Sequence, residues 1–314
     1  MELRQLRHFL AIVDAASVSR AATLLGKSQQ ALSKSLQALE ESLGGVRLLD
    51  RGAGRLTPTA FGRMLLPYAR NIEAEARGFH DALAATLAAT HGRLRVGASP
   101  TAASHLVSEA VLRLVDSHPG LQVEVSGGLH AELAGRVLAG DLDLCVCLDN
   151  DGRGPEGLER EVLADEEFGV VVGAQHPLAR RAPGAAPPLG DYPWLIGTGL
   201  GEVEAGWRRA FELAGLPLPA VAVETSSIEF TRSALRASFY VNVLPATLVE
   251  AELERGELVM LNVAGLRWRR PVVLYLRRSA TLPPPAAAFV AALHRAARRA
   301  PAVVRLAGRD EDGE

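Results

Sequence analysis

Cysteine is nearly missing from this chain of 314 residues: Cys145 and Cys147 are the only two. Two thiols make neither a disulfide framework nor a zinc quartet, and their alternate spacing puts both on one strand face, where they read as core packing. No apolar run approaches the ~20 residues needed to cross a bilayer, and the first ten residues mix charges where a signal peptide would not. Together these absences point to a cytoplasmic chain with no membrane partner. Aromatic residues are few, 8 Phe, 3 Trp and 4 Tyr, so the cores must rest mainly on Ala, Leu and Val. Net charge is small as well, −2, but unevenly placed: residues 1–63 carry nine Lys/Arg against five Asp/Glu, and the remainder is acidic. A basic amino-terminal module on an acidic body suits contact with a polyanion at one end only.

Motifs for chemistry are lacking too. Gly197, Gly199 and Gly201 miss the final spacing and the strand–helix context of a dinucleotide fingerprint. The eight His residues are scattered, His118 and His176 each precede a proline, and no carboxylate–histidine cluster suggests a metal. No serine stands in the glycine pattern of a nucleophile elbow. Neither catalysis, nor a cofactor, nor a metal is expected.

What is present is ordinary for a globular protein, 48% hydrophobic and 22% charged residues, on a chain longer than one core usually spans. Leu3, Leu6, Leu10 and Val13 recur at helical spacing and predict a first helix over about 3–16. Ser19 is placed to cap a second over 20–25, ended by Gly26. Ser28 caps a third, whose inward stripe is Leu32, Leu36, Leu39 and Leu43 and which Gly44 and Gly45 stop. Two short helices around a glycine-bearing turn match a helix-turn-helix. The outward face of the third carries Gln29, Gln30, Ser33, Lys34 and Gln37, residue types that pair with base edges, although a plain solvated helix is rich in the same residues. Residues 46–49 and 55–57 flank a flexible turn and predict a small hairpin, a wing, with Arg51 and Arg55 beside a phosphate backbone. Lys27 and Ser28 complete the expected DNA-facing set.

Beyond the hairpin, Thr59 is a plausible N-cap for one long helix. Phe61, Leu65, Tyr68, Ile72, Ala76, Phe79, Leu83 and Leu87 recur there at steps of three or four. A helix of about 42 Å outruns a small domain, so its stripe calls for a second copy of itself. Phe61, Leu65, Tyr68, Ile72, Phe79 and Leu83 are the expected dimerisation residues. Pro67 removes a backbone donor inside this helix, so either a kink or a start one turn later is expected.

From Arg93 onward, short β-branched runs alternate with helical stretches, the signature of an α/β domain with a partly parallel sheet. A strand over 93–98 runs into Ser99, Pro100 and Thr101, hydroxyl residues at a helix amino terminus that suit an anion or carboxylate. A second unit starts with a strand over 168–172, and its loops 197–202 and 225–227 form the expected opposite wall of a pocket. A last strand over 272–276 and a helix over 285–298 either return to the first unit, making two lobes joined by crossover strands, or stand in simple tandem.

The residues Leu3 to Phe9, Ser19 to Ala22, Ser28 to Glu40, Leu48 to Arg51 and Leu56 to Gly62 resemble, in order, the winged helix-turn-helix of LysR-type transcriptional regulators. The body is similar more loosely, through Leu94 to Gly97, His118 to Gly120 and Gly140 to Leu144. The resemblance implies a DNA-binding domain (1–58), a linker helix for dimerisation (59–90), a two-lobed effector domain like periplasmic binding proteins (91–300) and a flexible tail (301–314). Lobe I would hold 91–162 and 268–300, and lobe II 163–267. It implies a homotetramer on promoter DNA whose bending a small polar or carboxylate effector alters, with Ser99, Pro100, Thr101, Thr198 and Ser226 around the effector. Phe239 and Tyr240 add bulk where relatives carry small residues, and core filling is slightly favoured for them. The competing expectation is a small-molecule-binding protein or enzyme whose amino-terminal helices serve protein contacts.

Overall fold

The computed structural model describes residues 1–52, 55–87, 92–149, 152–180, 188–197, 201–278 and 282–299. Helix α1 (Leu3–Ala15) opens on a reciprocal cap in which the Glu2 backbone N–H donates to Gln5 Oε1 at 2.8 Å. It stops at Ala16, whose left-handed φ of 50° turns the chain sharply. Because of that early reversal, α2 (Val18–Leu24) is capped by Ser17, whose Oγ accepts from Arg20 N, and not by Ser19 as the sequence suggests. Helix α3 (Gln29–Ser42) is capped by Ser28 as expected, with Ser28 Oγ accepting from Ala31 N at 3.2 Å. Strands β1 (Leu49–Gly52) and β2 (Arg55–Pro58) pair antiparallel, with Arg51 opposite Leu56 and Gly52 opposite Arg55. Leu6, Phe9, Ile12, Leu32, Leu39, Leu48 and Ala69 bury one common core, so the hairpin and the next helix complete a domain that three helices alone leave open.

Helix α4 (Ala60–Leu87) starts where Thr59 Oγ1 accepts from Gly62 N at 3.0 Å. Pro67 therefore does not delay the start: it lies inside a continuous helix, at an exposed position where the carbonyl it leaves unpaired can be met by water. Arg7 Nε donates to both carboxylate oxygens of Glu73 at 2.8 Å, and Arg70 pairs with Asp14 at 3.1 Å, which clamps α4 to α1. Two turns further on, Arg77 Nη1 donates to the Gly140 carbonyl at 3.0 Å, and Ala74 packs where a Gly140 side chain would stand.

Strand β3 (Arg93–Ala98) enters a helix that runs unbroken as α5 (Pro100–Ala102), a π-turn (Ala103–Val107) and α6 (Ser108–Ser117). Then come β4 (Gln122–Gly127), α7 (His130–Ala139) and β5 (Leu144–Leu148). Strand β6 (Leu158–Gly173) is sixteen residues long, although only its last third reads as strand from sequence. Next are β7 (Trp194–Gly197), α8 (Gly201–Leu213), β8 (Val221–Thr225), α9 (Ile228–Ala237) and β9 (Val241–Pro245). After the 3-10 turn Ala246–Val249 the chain closes with α10 (Glu250–Glu254), β10 (Leu258–Leu261), β11 (Trp268–Arg277) and α11 (Pro284–Arg299).

The described strands after α4 form a single nine-stranded sheet in the order β4-β3-β5-β11-β6-β9-β7-β8, with β10 on β6. Strands β3, β4 and β5 are parallel, whereas β11 runs antiparallel to both β5 and β6. The first half of β6 pairs with β11 and the second half with β9 and β10, so both long strands pass from one lobe to the other. The chain thus crosses over and returns, which decides against the tandem arrangement. One core gathers Leu94, Val96, Leu106, Leu144, Leu274 and Phe289; another gathers Phe168, Trp194, Trp207, Phe211 and Val241. Cys145 and Cys147 form no disulfide and are fully buried with Leu133, Val137 and Tyr275 on the α7 side of the sheet.

Candidate functional site

Two regions gather polar side chains that the fold does not consume. The first is the outer face of α3. Burial of Leu32 and Leu39 beneath it turns Lys27, Ser28, Gln29, Gln30, Ser33, Lys34 and Gln37 outward, and every one of these is exposed. Lys27 and Lys34 are the only lysines in the chain, and both lie on this face. Ser19, displaced from its expected cap role, donates from Oγ to Gln29 Oε1 at 3.0 Å and so orients that amide with its N–H₂ outward. Gln37 Nε2 donates to Glu41 at 2.9 Å, while Glu40 accepts from Leu48 N at 2.7 Å and fixes the helix to the approach of the wing. His8, bonded to Ser35 at 2.8 Å, is held below its usual value by burial first and then by Arg4 and Lys27, so it adds no charge here at neutral pH. Arg55 is exposed on β2, and Arg51 lies on β1 opposite Leu56; the tip between the strands and the Arg51 side chain lie outside the described residues.

The outer stripe of α4 is exposed as well. Phe61, Met64, Tyr68, Ile72, Phe79 and Leu83 are all solvent-exposed, with Tyr68 at 64% and Phe79 at 65%. Leu65, which the spacing alone puts in the same stripe, instead turns inward and packs against the amino-terminal core. Met64 takes its place on the outer face, a step of three from Phe61 and four to Tyr68.

The second region is the junction of the lobes. Ser99 and Thr101 are buried, Pro100 is exposed, and Ser99 Oγ accepts from Ala102 N at 3.4 Å at the start of the helix. Ser226 is exposed in the turn after β8, but the cap of α9 is Ser227, whose Oγ accepts from Phe230 N at 3.1 Å. Thr198, Gly199 and Leu200 of the 197–202 loop lie outside the described residues. Phe239 is 54% exposed, edge-on to the ring of His176, whereas Tyr240 packs partly buried against Val171 and Leu235; only Tyr240 fits the core-filling expectation.

Several buried polar groups at this junction escape a reading of the sequence. Asp149, 2% exposed at the end of β5, accepts from Arg160 Nε at 2.9 Å and from Tyr275 Oη at 3.5 Å, and its own carbonyl accepts from Arg270 Nη2 at 2.9 Å. Tyr275 Oη also meets His130 Nε2 at 3.1 Å. Glu166, in the middle of β6, accepts from Thr247 N at 3.1 Å and from Thr247 Oγ1 at 2.7 Å. Burial pushes the Glu166 carboxyl up to about 7, against the opposing pull of the two Thr247 hydrogen bonds. Apart from Asp149 and Arg160, these partners stand eighty or more residues apart and leave no local pattern, so only the fold brings them together.

No group of three His, Cys, Asp or Glu side chains among the described residues is placed to hold a metal ion, and no described helix is long and apolar enough to cross a membrane. Comparison with known proteins covers both regions. Residues 3–63 match the family model for the bacterial regulatory helix-turn-helix protein of the lysR family, and residues 88–298 match that for the LysR substrate binding domain. The SDS degradation transcriptional activation protein of Pseudomonas sp. (strain ATCC 19151) is 34% identical over 292 residues, covering 92% of this chain and 94% of that protein. Among solved structures, full-length LysG of Corynebacterium glutamicum with bound effector Arg is similar with a TM-score of 0.67 at 20% identity, covering 95% of this chain and 99% of that one. A full-length OxyR variant of Pseudomonas aeruginosa gives 0.64 at 23% identity, covering 99% of both chains.

Proposed function

Because the chain belongs to the LysR family of bacterial helix-turn-helix transcriptional regulators, we propose that α3 enters the major groove of a promoter site, that two copies pair along α4, and that a small polar or carboxylate effector binds between the lobes. The family places DNA binding in the helix-turn-helix, which sets aside a purely protein-binding role for these helices. Gln30 and Ser33 are the base readers in this account. Gln29 joins them with its amide pre-oriented by Ser19, and Gln37 follows one turn later. Lys27, Lys34, Arg51 and Arg55 supply phosphate contacts, which set affinity and its salt dependence without selecting sequence. Phe61, Tyr68, Ile72, Phe79 and Leu83, with Met64 added and Leu65 removed, form the pairing stripe. Ser99, Pro100 and Thr101 from one lobe and Thr198 and Ser226 from the other supply the effector contacts. Non-catalytic regulation, a dimer and a tetramer built from it belong to the same reading.

The observation that carries it is the outer face of α3 and its cap: seven exposed polar side chains between Lys27 and Gln37 over a buried Leu32 and Leu39, with the wing following in the chain. The test is a titration of the full chain against a duplex selected from a random pool and against an unselected duplex. Gln30→Ala and Ser33→Ala are expected to weaken the selected duplex by about 1–3 kcal/mol each and leave the unselected one unchanged. Lys34→Ala is expected to weaken both and to lower the salt slope by about one. Equal losses on both duplexes for Gln30→Ala and Ser33→Ala would refute base reading by α3.

A further inference from the structure

The outer face of α3 carries Gln29, Gln30 and Gln37, and the fold holds their amides in different states. Gln37 spends Nε2 on Glu41 within its own helix. Gln30 is exposed and, among the described residues, without a side-chain partner. Gln29, the first residue of α3, is tied across the turn instead: Ser19 Oγ donates to its Oε1 at 3.0 Å. Ser19 is available for this because Ser17 caps α2, which leaves Ser19 as the second residue of that helix with an exposed side chain. We propose that Ser19 is a positioning residue for sequence reading: by occupying the Gln29 carbonyl oxygen it makes Gln29 a donor-only reader that selects guanine over adenine.

The choice of base follows from which amide atoms remain outward. A glutamine side chain offers an acceptor, Oε1, and a donor group, Nε2–H₂. Free to turn, it pairs with adenine by both ends at once, accepting from N6–H₂ and donating to N7. That pairing needs Oε1 and the amide plane turned edge-on to the base, and Ser19 holds both. What faces outward is the Nε2–H₂ group. Guanine offers it two major-groove acceptors, N7 and O6, whereas adenine sets its own N6–H₂ group against it. Thymine offers O4 alone, and cytosine offers a donor.

The bond joins two exposed side chains, where a hydrogen bond competes with water and adds little to stability. Its consequence lies in orientation. The turn between the two helices is fixed by other groups: Ser17 Oγ caps α2, Ser28 Oγ caps α3, and Lys27 N donates to the Ala22 carbonyl at 2.9 Å. Ala21, Ala22 and Leu32 close the core beneath it. Removing the Ser19 hydroxyl therefore frees the Gln29 amide without moving α3. This role rests on the reading of α3 as the groove helix and deepens it, naming the base that Gln29 takes and the residue of α2 that sets the choice.

The test is competition binding of the full chain to duplexes selected from a random pool and to single-pair variants of them. Gln29→Ala marks the base pair that Gln29 reads, as the position whose preference it relaxes. There the unaltered protein is expected to bind the duplex carrying guanine about tenfold more tightly than the one carrying adenine on the same strand, the discrimination of one good base contact. Ser19→Thr, which keeps a hydroxyl, is expected to hold that ratio. Ser19→Val, matched to it in shape but without the hydroxyl, is expected to bring the ratio to about twofold or less. Because both substitutions alter the same exposed side chain with β-branched residues, a folding or packing effect would move both alike. A preference for another base in the unaltered protein, an unchanged ratio in Ser19→Val, or equal weakening of all duplexes by Ser19→Val, the mark of a phosphate contact, would overturn the proposal and leave base reading by α3 in place. If Gln29→Ala relaxes no position, Gln29 is not a reader and the proposal falls with it, while Gln30 and Ser33 are judged by their own variants.

Discussion

A glycine pair on α4 offers a sharp test of how the wing is attached. Gly62 sits in the first turn of that helix, where an added Cβ would lie 2.1 Å from the Leu48 carbonyl oxygen and 3.1 Å from its carbon. The shortfall is about 1 Å against backbone, which cannot swing aside as a side chain does, so the strand or the helix must move. That carbonyl also accepts from Thr59 N at 3.0 Å, and the movement strains the bond beside the helix cap. Overpacking of this kind costs about 1–3 kcal/mol and the loss of the hydrogen bond about 1 more, so Gly62→Ala is expected to destabilise the amino-terminal domain by roughly 2–4 kcal/mol. Gly78, sixteen residues on, meets nothing within 4 Å, and Gly78→Ala is expected to stabilise by up to about 1 kcal/mol through helix propensity. Urea titration of both variants, followed by far-UV circular dichroism with duplex binding measured alongside, separates the two cases. The selected-duplex affinity is expected to fall for Gly62→Ala, because β1 carries Arg51, and to hold for Gly78→Ala. A Gly62→Ala protein as stable as Gly78→Ala would show that the close approach of Leu48 to α4 is not a feature of the folded protein.

Two further outcomes follow from the same coordinates. Placing a charge in the outer stripe of α4, by Tyr68→Asp or Phe79→Asp, is expected to lower the mass seen by sedimentation equilibrium at micromolar protein with the fold retained, since both side chains are largely exposed in the single chain; an unchanged mass would remove the stripe as the pairing surface. Asp149→Asn leaves the Arg160 guanidinium, a quarter exposed, without its buried carboxylate, and is expected to cost about 2–4 kcal/mol in a urea titration of the effector domain's transition, whereas Tyr275→Phe, losing the long contact to Asp149 and the 3.1 Å bond to His130, is expected to cost about 1–2 kcal/mol.

How far the fold is legible in the sequence depends on the range of the interactions involved. The third helix, its Ser28 cap and the Thr59 start of α4 are local, and a reading of periodicity and hydroxyl caps finds them to the residue. The Ser17 cap is missed because the residue that sets it, Ala16, adopts a left-handed φ of 50° without being glycine, asparagine or aspartate. Leu65 is misplaced for a related reason: a stripe at steps of three and four spans more than one face over 28 residues, and only the position of Leu6 and Leu48 decides which side Leu65 takes. In the α/β body, strand β6 hides its first half because Glu159, Arg160, Glu161, Asp165, Glu166 and Glu167 break any apolar alternation. Those charges are tolerable because Asp149, Arg267, Thr247 and His294 arrive from elsewhere to meet Arg160, Glu167, Glu166 and Glu161. A buried carboxylate such as Glu166 is therefore invisible in the chain and evident in the fold.

The linker helix shows why both ends of the molecule must be considered at once. Its outer face is apolar and exposed, while its inner face carries Arg70, Glu73, Ala74 and Arg77 within about two turns. The first two fasten α1, which packs on α3. The last two fasten the turn after α7, where Gly140 has a φ of 76° and a Cβ would stand 2.7 Å from that of Ala74. Only glycine meets both conditions, the positive φ and the close approach, so this turn cannot drift away from α4 without losing the Arg77 bond to its carbonyl and exposing the small-residue contact. Contacts consequently run without a gap from the sheet of lobe I, through α7 and two turns of α4, to α1, which packs on α3 beneath its exposed polar residues.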